Sequence, residues 1–239
     1  MNALFAALKY LTIFPWPRRV PAADLGRASS LFPLVGLFLG LILLFFNWLL
    51  DPYLSSEILS VLLVTLLIVM TRAVHITGLR ETFDGLEIAG ERKAGSAAAR
   101  EDRLRIFGLL AVVIVVALKF RAIEVMGEAR NQGLLLAPVL GRWSMVVLAY
   151  GSSSQREGAG RILSEEVRGL HLFIATAISL ALVAALSGRA GFWIALWVSL
   201  VALVGRSTLH RRLGGVAEDN FGAIEELTEA IALTLFASF

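Results

Sequence analysis

The sequence predicts an all-α, polytopic integral membrane protein of about six transmembrane helices with amphipathic terminal helices. Three observations carry that expectation. Apolar residues make up 57% of the 239-residue chain and charged residues only 17%, against about 45–50% and about 25% in soluble domains. The mean hydropathy is +0.77. The apolar residues also fall in continuous runs rather than alternating, which argues against the strands of a β-barrel. No tandem repeat or low-complexity linker divides the chain, so residues 1–239 are expected to form a single transmembrane helical domain.

Composition also limits the chemistry. There is no cysteine, which excludes disulfides and thiolate metal sites. His75, His171 and His210 are too scattered to suggest a zinc site. A net charge of +3 points weakly to anionic lipid head groups and not to nucleic acid.

The N-terminal stretch MNALFAALKYLTIFPWP has an apolar run interrupted by Lys9 and closed by two prolines. It lacks a basic leader and a small-residue cleavage site, so it does not read as a signal peptide. A short amphipathic helix at the interface, anchored by Trp16, is expected instead. A crossing needs about 20 mostly apolar residues. Residues 31–50 qualify without a charge, and 58–76 qualify with Arg72 near one end. Residues 106–118 are charge-free but short, and reach spanning length if Lys119 and Arg121 snorkel to the head groups. Residues 133–150 carry only Arg142, and 170–187 and 191–205 complete six. The tail from Gly222 contains Glu225, Glu226 and Glu229 before an apolar end, so it is expected to be amphipathic and not to span.

Six crossings place both termini on one side, and the basic residues name it. Of the 22 Lys and Arg, sixteen fall in segments 1–30, 77–105, 151–169 and 206–229. Only four fall in 51–57, 119–132 and 188–190, and Arg72 and Arg142 lie within spans. The excess puts both termini and the polar loops in the cytoplasm.

The densest polar segment runs from His75 to Gly108, HITGLRETFDGLEIAGERKAGSAAAREDRLRIFG. Glu81 and Asp84 are three apart and share a face if the stretch is helical. Glu101 and Asp102 then lead into Arg103 and Arg105. Carboxylates beside basic residues suit magnesium-assisted phosphoryl transfer, in which acids hold a hard cation and positive charge neutralises phosphate. The same stretch also reads as a solvated loop, since residues 77–105 hold six acids and six bases. A second segment, Arg206 to Glu229, combines Gly214 and Gly215 with Glu218 and Asp219. Its glycines would let backbone approach a phosphate, or simply cap a helix. Arg142, inside an apolar span, implies either a functional group or a structural tie.

Read together, these segments resemble the cobalamin synthase family, the adenosylcobinamide-GDP ribazoletransferases. YLTIFPWP, LFPLVGLFLG, HITGLRETFDG, REDRLRIFG, LLLAPVLGRWSM, REGAG and LGGVAEDNFGAIEELTE occur in the family's order, nearly end to end. The resemblance implies a magnesium-dependent enzyme of the cell inner membrane. It would join adenosylcobinamide-GDP to α-ribazole, or its 5′-phosphate, with release of GMP. Its partners would be those substrates and membrane lipids, not nucleic acid, and a homo-oligomer is compatible with it. The resemblance further implies metal ligands at Glu81, Asp84, Glu101, Asp102 and Asp219, and catalytic roles for His75, Asp84 and Arg103. Substrate contacts would come from Arg142, Arg156, Gly214 and Gly215. Thr77 stands where the family pattern has aspartate, and Glu81 and Glu101 replace aspartates. These departures leave open a divergent, weakly active or non-catalytic membrane subunit of the same family.

Overall fold

The computed structural model describes residues 2–14, 24–93, 106–154 and 156–238. The elements are α1 (Asn2–Leu11), α2 (Asp24–Ser29), α3 (Phe32–Leu50), α4 (Ser56–Met70) and α5 (Val74–Lys93). They continue with α6 (Ile106–Val125), a 3-10 turn at Gly127–Ala129, α7 (Arg130–Ala149), α8 (Ala159–Glu166), α9 (Gly169–Leu213) and α10 (Glu218–Phe236). No strand occurs among the described residues, so the all-α expectation holds. Apolar side chains such as Leu62, Val69, Ile114, Leu196 and Trp197 stay exposed along α4, α6 and α9. In a bilayer such surfaces face lipid without penalty, because helices satisfy their own backbone groups.

Helices α3, α6 and α9 and the stretch Gly127–Ala149 are each long and apolar enough to cross a membrane. A fifth candidate exists only as the bent pair of α4 and α5, which turns by 85°. The bend corrects the expectation of one crossing over 58–76. Helix α4 stops at Met70, and Arg72 and Ala73 take positive φ of 57° and 56°. That conformation is uncommon for residues with a Cβ. It redirects the chain, so His75 to Glu87 form a helix and not a loop.

Helix α9 is broken at Gly188, where φ is 54° and ψ is −133°. A Cβ on Gly191 would lie 2.6 Å from Val183 Cγ1. Residues eight apart on a straight helix are separated by about 12 Å along the axis, so the chain folds sharply back here. Close packing elsewhere also depends on glycine. In FPLVGLFLG, Gly36 and Gly40 let α3 lie against α7, and a Cβ at Gly40 would be 2.8 Å from Leu134 O. At Gly36 it would collide with Pro138 O. Small residues four apart are the usual device for bringing membrane helices together.

Two expectations fail in the interior. The tail is not a surface amphipathic helix, because α10 is packed against α5, α6, α7 and α9. Glu225, Glu226 and Glu229 are buried, at 0%, 3% and 1% exposure. Lys119 does not snorkel, since its ammonium is buried and ion-paired to α10. The reason is the same for both. A buried cation and buried carboxylates satisfy one another where neither could remain alone. Arg121 stays at the surface, paired with Glu124 at 2.6 Å. The N-terminal helix is present as α1, with Ala6, Ala7, Leu8 and Leu11 buried against the protein and Lys9 exposed. Trp16 lies outside the described residues.

Candidate active site

The start of α5, the N-terminus of α10 and the C-terminus of α9 meet at one end of the bundle around two adjoining cavities. The larger is about 660 Å³, and its lining includes Glu81, Thr82, Arg156, Arg212, Gly215 and Asp219. The smaller is about 300 Å³, and its lining includes Tyr10, His75, Thr77, Met145, Glu157 and Phe221. Arg156, Ala217 and Asp219 line both, so the cavities share a wall. Each of the four segments that the charge count places on one side contributes a residue: Tyr10, Glu81, Arg156 and Asp219.

Local sequence explains the convergence. Gly214 ends α9 in the left-handed conformation, with φ of 80°, where glycine carries no Cβ penalty. Gly215 follows with φ of 156°, and a Cβ there would be 2.6 Å from Ser153 O. The next residue, Val216, donates its N–H to that same carbonyl at 2.9 Å. The chain then enters α10 at Glu218, and Asn220 Oδ1 accepts from the Ala217 N–H at 2.7 Å. The Asn220 amide donates to Thr82 Oγ1 at 2.8 Å, which ties the turn to α5. Gly222 completes the seam, because a Cβ there would be 2.8 Å from His75 Cα.

Charge in the cavity is unevenly placed. Burial, reinforced by the nearby Glu81 carboxylate and partly offset by Arg156, raises the Asp219 carboxyl above the ordinary aspartate range. Burial also raises the Tyr10 phenol, with smaller contributions from Glu218 and Asp219. Glu81 and Asp219 therefore form a pair of hard oxygen donors whose mutual repulsion a cation would relieve.

A second polar cluster is buried in the bundle and reaches the smaller cavity through His75. Arg142 donates to Glu229 at 2.7 Å and to Glu225. Lys119 donates to Glu226 at 2.7 Å and to Glu229. His75 Nδ1 lies 2.9 Å from Glu225 Oε2. Gly141 leaves room for this arrangement, since a Cβ there would be 2.9 Å from Glu225 Oε1. Ligand atoms of His75, Glu225 and Glu226 come within 4.8 Å of one another. Two fixed cations already hold these carboxylates, however, and would repel a divalent ion. The Glu81–Asp219 pair is the better metal candidate.

The residues singled out from sequence thus separate into groups. Glu81, Arg156, Gly215 and Asp219 come together in the larger cavity, and His75 lines the smaller. Arg142 lies in the buried cluster and lines neither cavity. Asp84 is 1% exposed and also lines neither. Its Oδ1 accepts from the Gly108 N–H at 2.8 Å, which fastens α5 to the start of α6. Gly214 is the helix cap described above. Glu101, Asp102 and Arg103 lie outside the described residues. Sequence reasoning missed Lys119, Glu225, Glu226 and Glu229 as a group. The available signal was the need of Arg142 and Lys119 for partners within apolar surroundings.

Fold and site together define a polytopic helical membrane protein with a charged, two-chambered cleft at one end of its bundle. Residues 3–237 match the cobalamin-5-phosphate synthase family. The chain belongs to that family. It is 33% identical to the adenosylcobinamide-GDP ribazoletransferase of Geotalea daltonii over 98% of this chain and 96% of that one. The enzymes of the same name from a Thermoanaerobacter species and from Syntrophobacter fumaroxidans are also 33% identical. Those alignments cover 100% and 97% of this chain, and 98% and 96% of the relatives. No solved structure matches the chain.

Proposed function

We propose that this protein transfers the adenosylcobinamide phosphate group from adenosylcobinamide-GDP to α-ribazole or its 5′-phosphate. The products are adenosylcobalamin, or its phosphate, and GMP. Full-length family membership supports the reaction. The structural observation that carries it is the convergence of Glu81, Arg156, Arg212 and Asp219 in one cavity. Phosphoryl transfer depends chiefly on positioning and on neutralising charge over the phosphate oxygens, and these side chains can do both.

Arg156, on the wall common to both cavities, neutralises the phosphate being transferred, and Arg212 holds the departing nucleotide phosphate. Glu81 and Asp219 are the residues to hold Mg²⁺, which accepts one or two carboxylates and keeps several waters. Bound there, it would offset phosphate charge as the bond to GMP breaks. Glu101, Asp102 and Arg103 are the remaining candidates for metal and phosphate. Asp84 acts indirectly, because its bond to the Gly108 N–H fixes the start of α6 against α5.

We further read the two halves of α9 as separate crossings, which with the bent α4–α5 pair gives six. The cleft then faces the cytoplasmic side of the inner membrane, as the distribution of Lys and Arg favours. The test is turnover by the purified protein with adenosylcobinamide-GDP and α-ribazole, in Mg²⁺ and in EDTA. Mg²⁺-dependent release of GMP is expected from the wild type, with large losses in Asp219→Asn and Glu81→Gln. Equal turnover by all three would place the site elsewhere.

A further inference from the structure

We propose that the smaller cavity is the subsite of the acceptor alcohol, and that His75 is its general base, positioned by Glu225. The proposal rests on the transferase reading above. A transferase with two substrates needs two binding spaces that meet at the reacting phosphate. The two cavities meet at Arg156 and Asp219. At about 300 Å³ the smaller lies at the lower end of ligand-pocket volumes, about 300–1,000 Å³. That size suits one nucleoside-like alcohol, and Tyr10, Met145 and Phe221 supply apolar surface for its base. The larger cavity, with Arg156 and Arg212, suits the diphosphate of the donor.

The buried cluster explains why His75 is the base. Its Nδ1 lies 2.9 Å from Glu225 Oε2, an ion-pair contact, and both atoms are buried without a hydrogen bond of regular geometry to any described residue. This leaves Nε2 as the nitrogen available to the cavity that His75 lines. A carboxylate at one imidazole nitrogen fixes the ring and stabilises the imidazolium formed when the other nitrogen takes a proton. Glu225, Glu226 and Glu229 face two fixed cations, Lys119 and Arg142. Arg142, bound to both Glu225 and Glu229, keeps Glu225 from moving toward the cavity.

In the step itself, the acceptor hydroxyl loses its proton to His75 Nε2. Its oxygen forms a bond to the phosphorus that carries the corrinoid. The bond from that phosphorus to the GMP oxygen breaks, and GMP leaves with the electron pair. The proton on His75 passes to water before the next turnover. Glu225 touches no substrate and acts only through His75.

The test is steady-state turnover with adenosylcobinamide-GDP and α-ribazole, together with donor binding and thermal melting, in His75→Ala, Glu225→Gln and the double variant. His75→Ala is expected to lower kcat by roughly 10²–10⁴-fold, the usual range for general-base loss. Donor affinity should be retained, and added imidazole should restore part of the rate. Glu225→Gln should also lower kcat, and the double variant should be no slower than His75→Ala, because two residues acting as one unit are non-additive. If His75→Ala fails to fold, His75→Gln takes its place in the same cycle. A near-normal kcat without His75, or multiplying losses in the double variant, would overturn the dyad while leaving the transferase intact. A wild type without turnover would overturn the reaction, and the dyad with it.

Discussion

At the scale of single residues, charge placement decides the behaviour of the cleft. Asp219 and Glu81 both line the larger cavity, and burial of Asp219, with the nearby Glu81 charge, adds to the cost of its own charge. Mg²⁺ is therefore expected to raise the melting temperature of the wild type, since a ligand bound only by the folded state stabilises it by mass action. Glu81→Gln should melt higher than the wild type in EDTA, because the repulsion is gone, and should lose most of the Mg²⁺-dependent shift. Thermal melts in both conditions check this, and an unchanged Mg²⁺ shift in Glu81→Gln would remove that residue from the metal site. Arg142 shows how far a single residue could be read from sequence. Its presence in an apolar span signalled a tie or a function, and its two partners proved to be Glu225 and Glu229. The partners were hidden because three acids near the C-terminus resemble a solvated face until the helix is seen inside the bundle.

At the scale of elements, the ties between α10 and its neighbours hold the site in register. Lys119 on α6 bridges Glu226 and Glu229 on α10. Removing one member of a buried ion pair costs about 3–5 kcal/mol, because the remaining charge is stranded. Lys119→Met is expected to lose stability in that range by chemical denaturation in detergent. Lys119→Met combined with Glu226→Gln should recover most of it. No recovery would mean that the cluster is held by packing and not by charge. Gly188 is a second sensitive point. Its φ of 54° and ψ of −133° suit only glycine, so Gly188→Ala should cost about 1–3 kcal/mol without altering the cleft. Element positions were largely legible. The runs at 31–50 and 133–150 match α3 and α7 within a few residues, because hydropathy reports length directly. The turn at Thr71–Ala73 was not legible, since it depends on two residues with positive φ and no glycine or proline marks it.

At the scale of the whole molecule, the proposed topology sets the cleft end of the bundle toward the cytoplasm and the opposite end outside. The outer end is drawn together by Ser56, which donates to Glu124 O at 3.0 Å and accepts from Arg130 Nη1 at 3.1 Å. The absence of cysteine makes the orientation easy to read with single introduced thiols. Tyr53→Cys, at a position 80% exposed, should react with an impermeant maleimide in intact cells. Arg211→Cys should react only after lysis, and the reverse pattern would invert the topology. In the proposed reaction Glu81, Arg156 and Asp219 form the centre of a corrinoid phosphotransferase. The most direct measurement compares purified wild type with Asp219→Asn, following GMP and adenosylcobalamin from adenosylcobinamide-GDP and α-ribazole in saturating Mg²⁺. Equimolar product formation is expected from the wild type, with a loss on the order of 10²-fold or more in Asp219→Asn. Equal rates in the two proteins would contradict it.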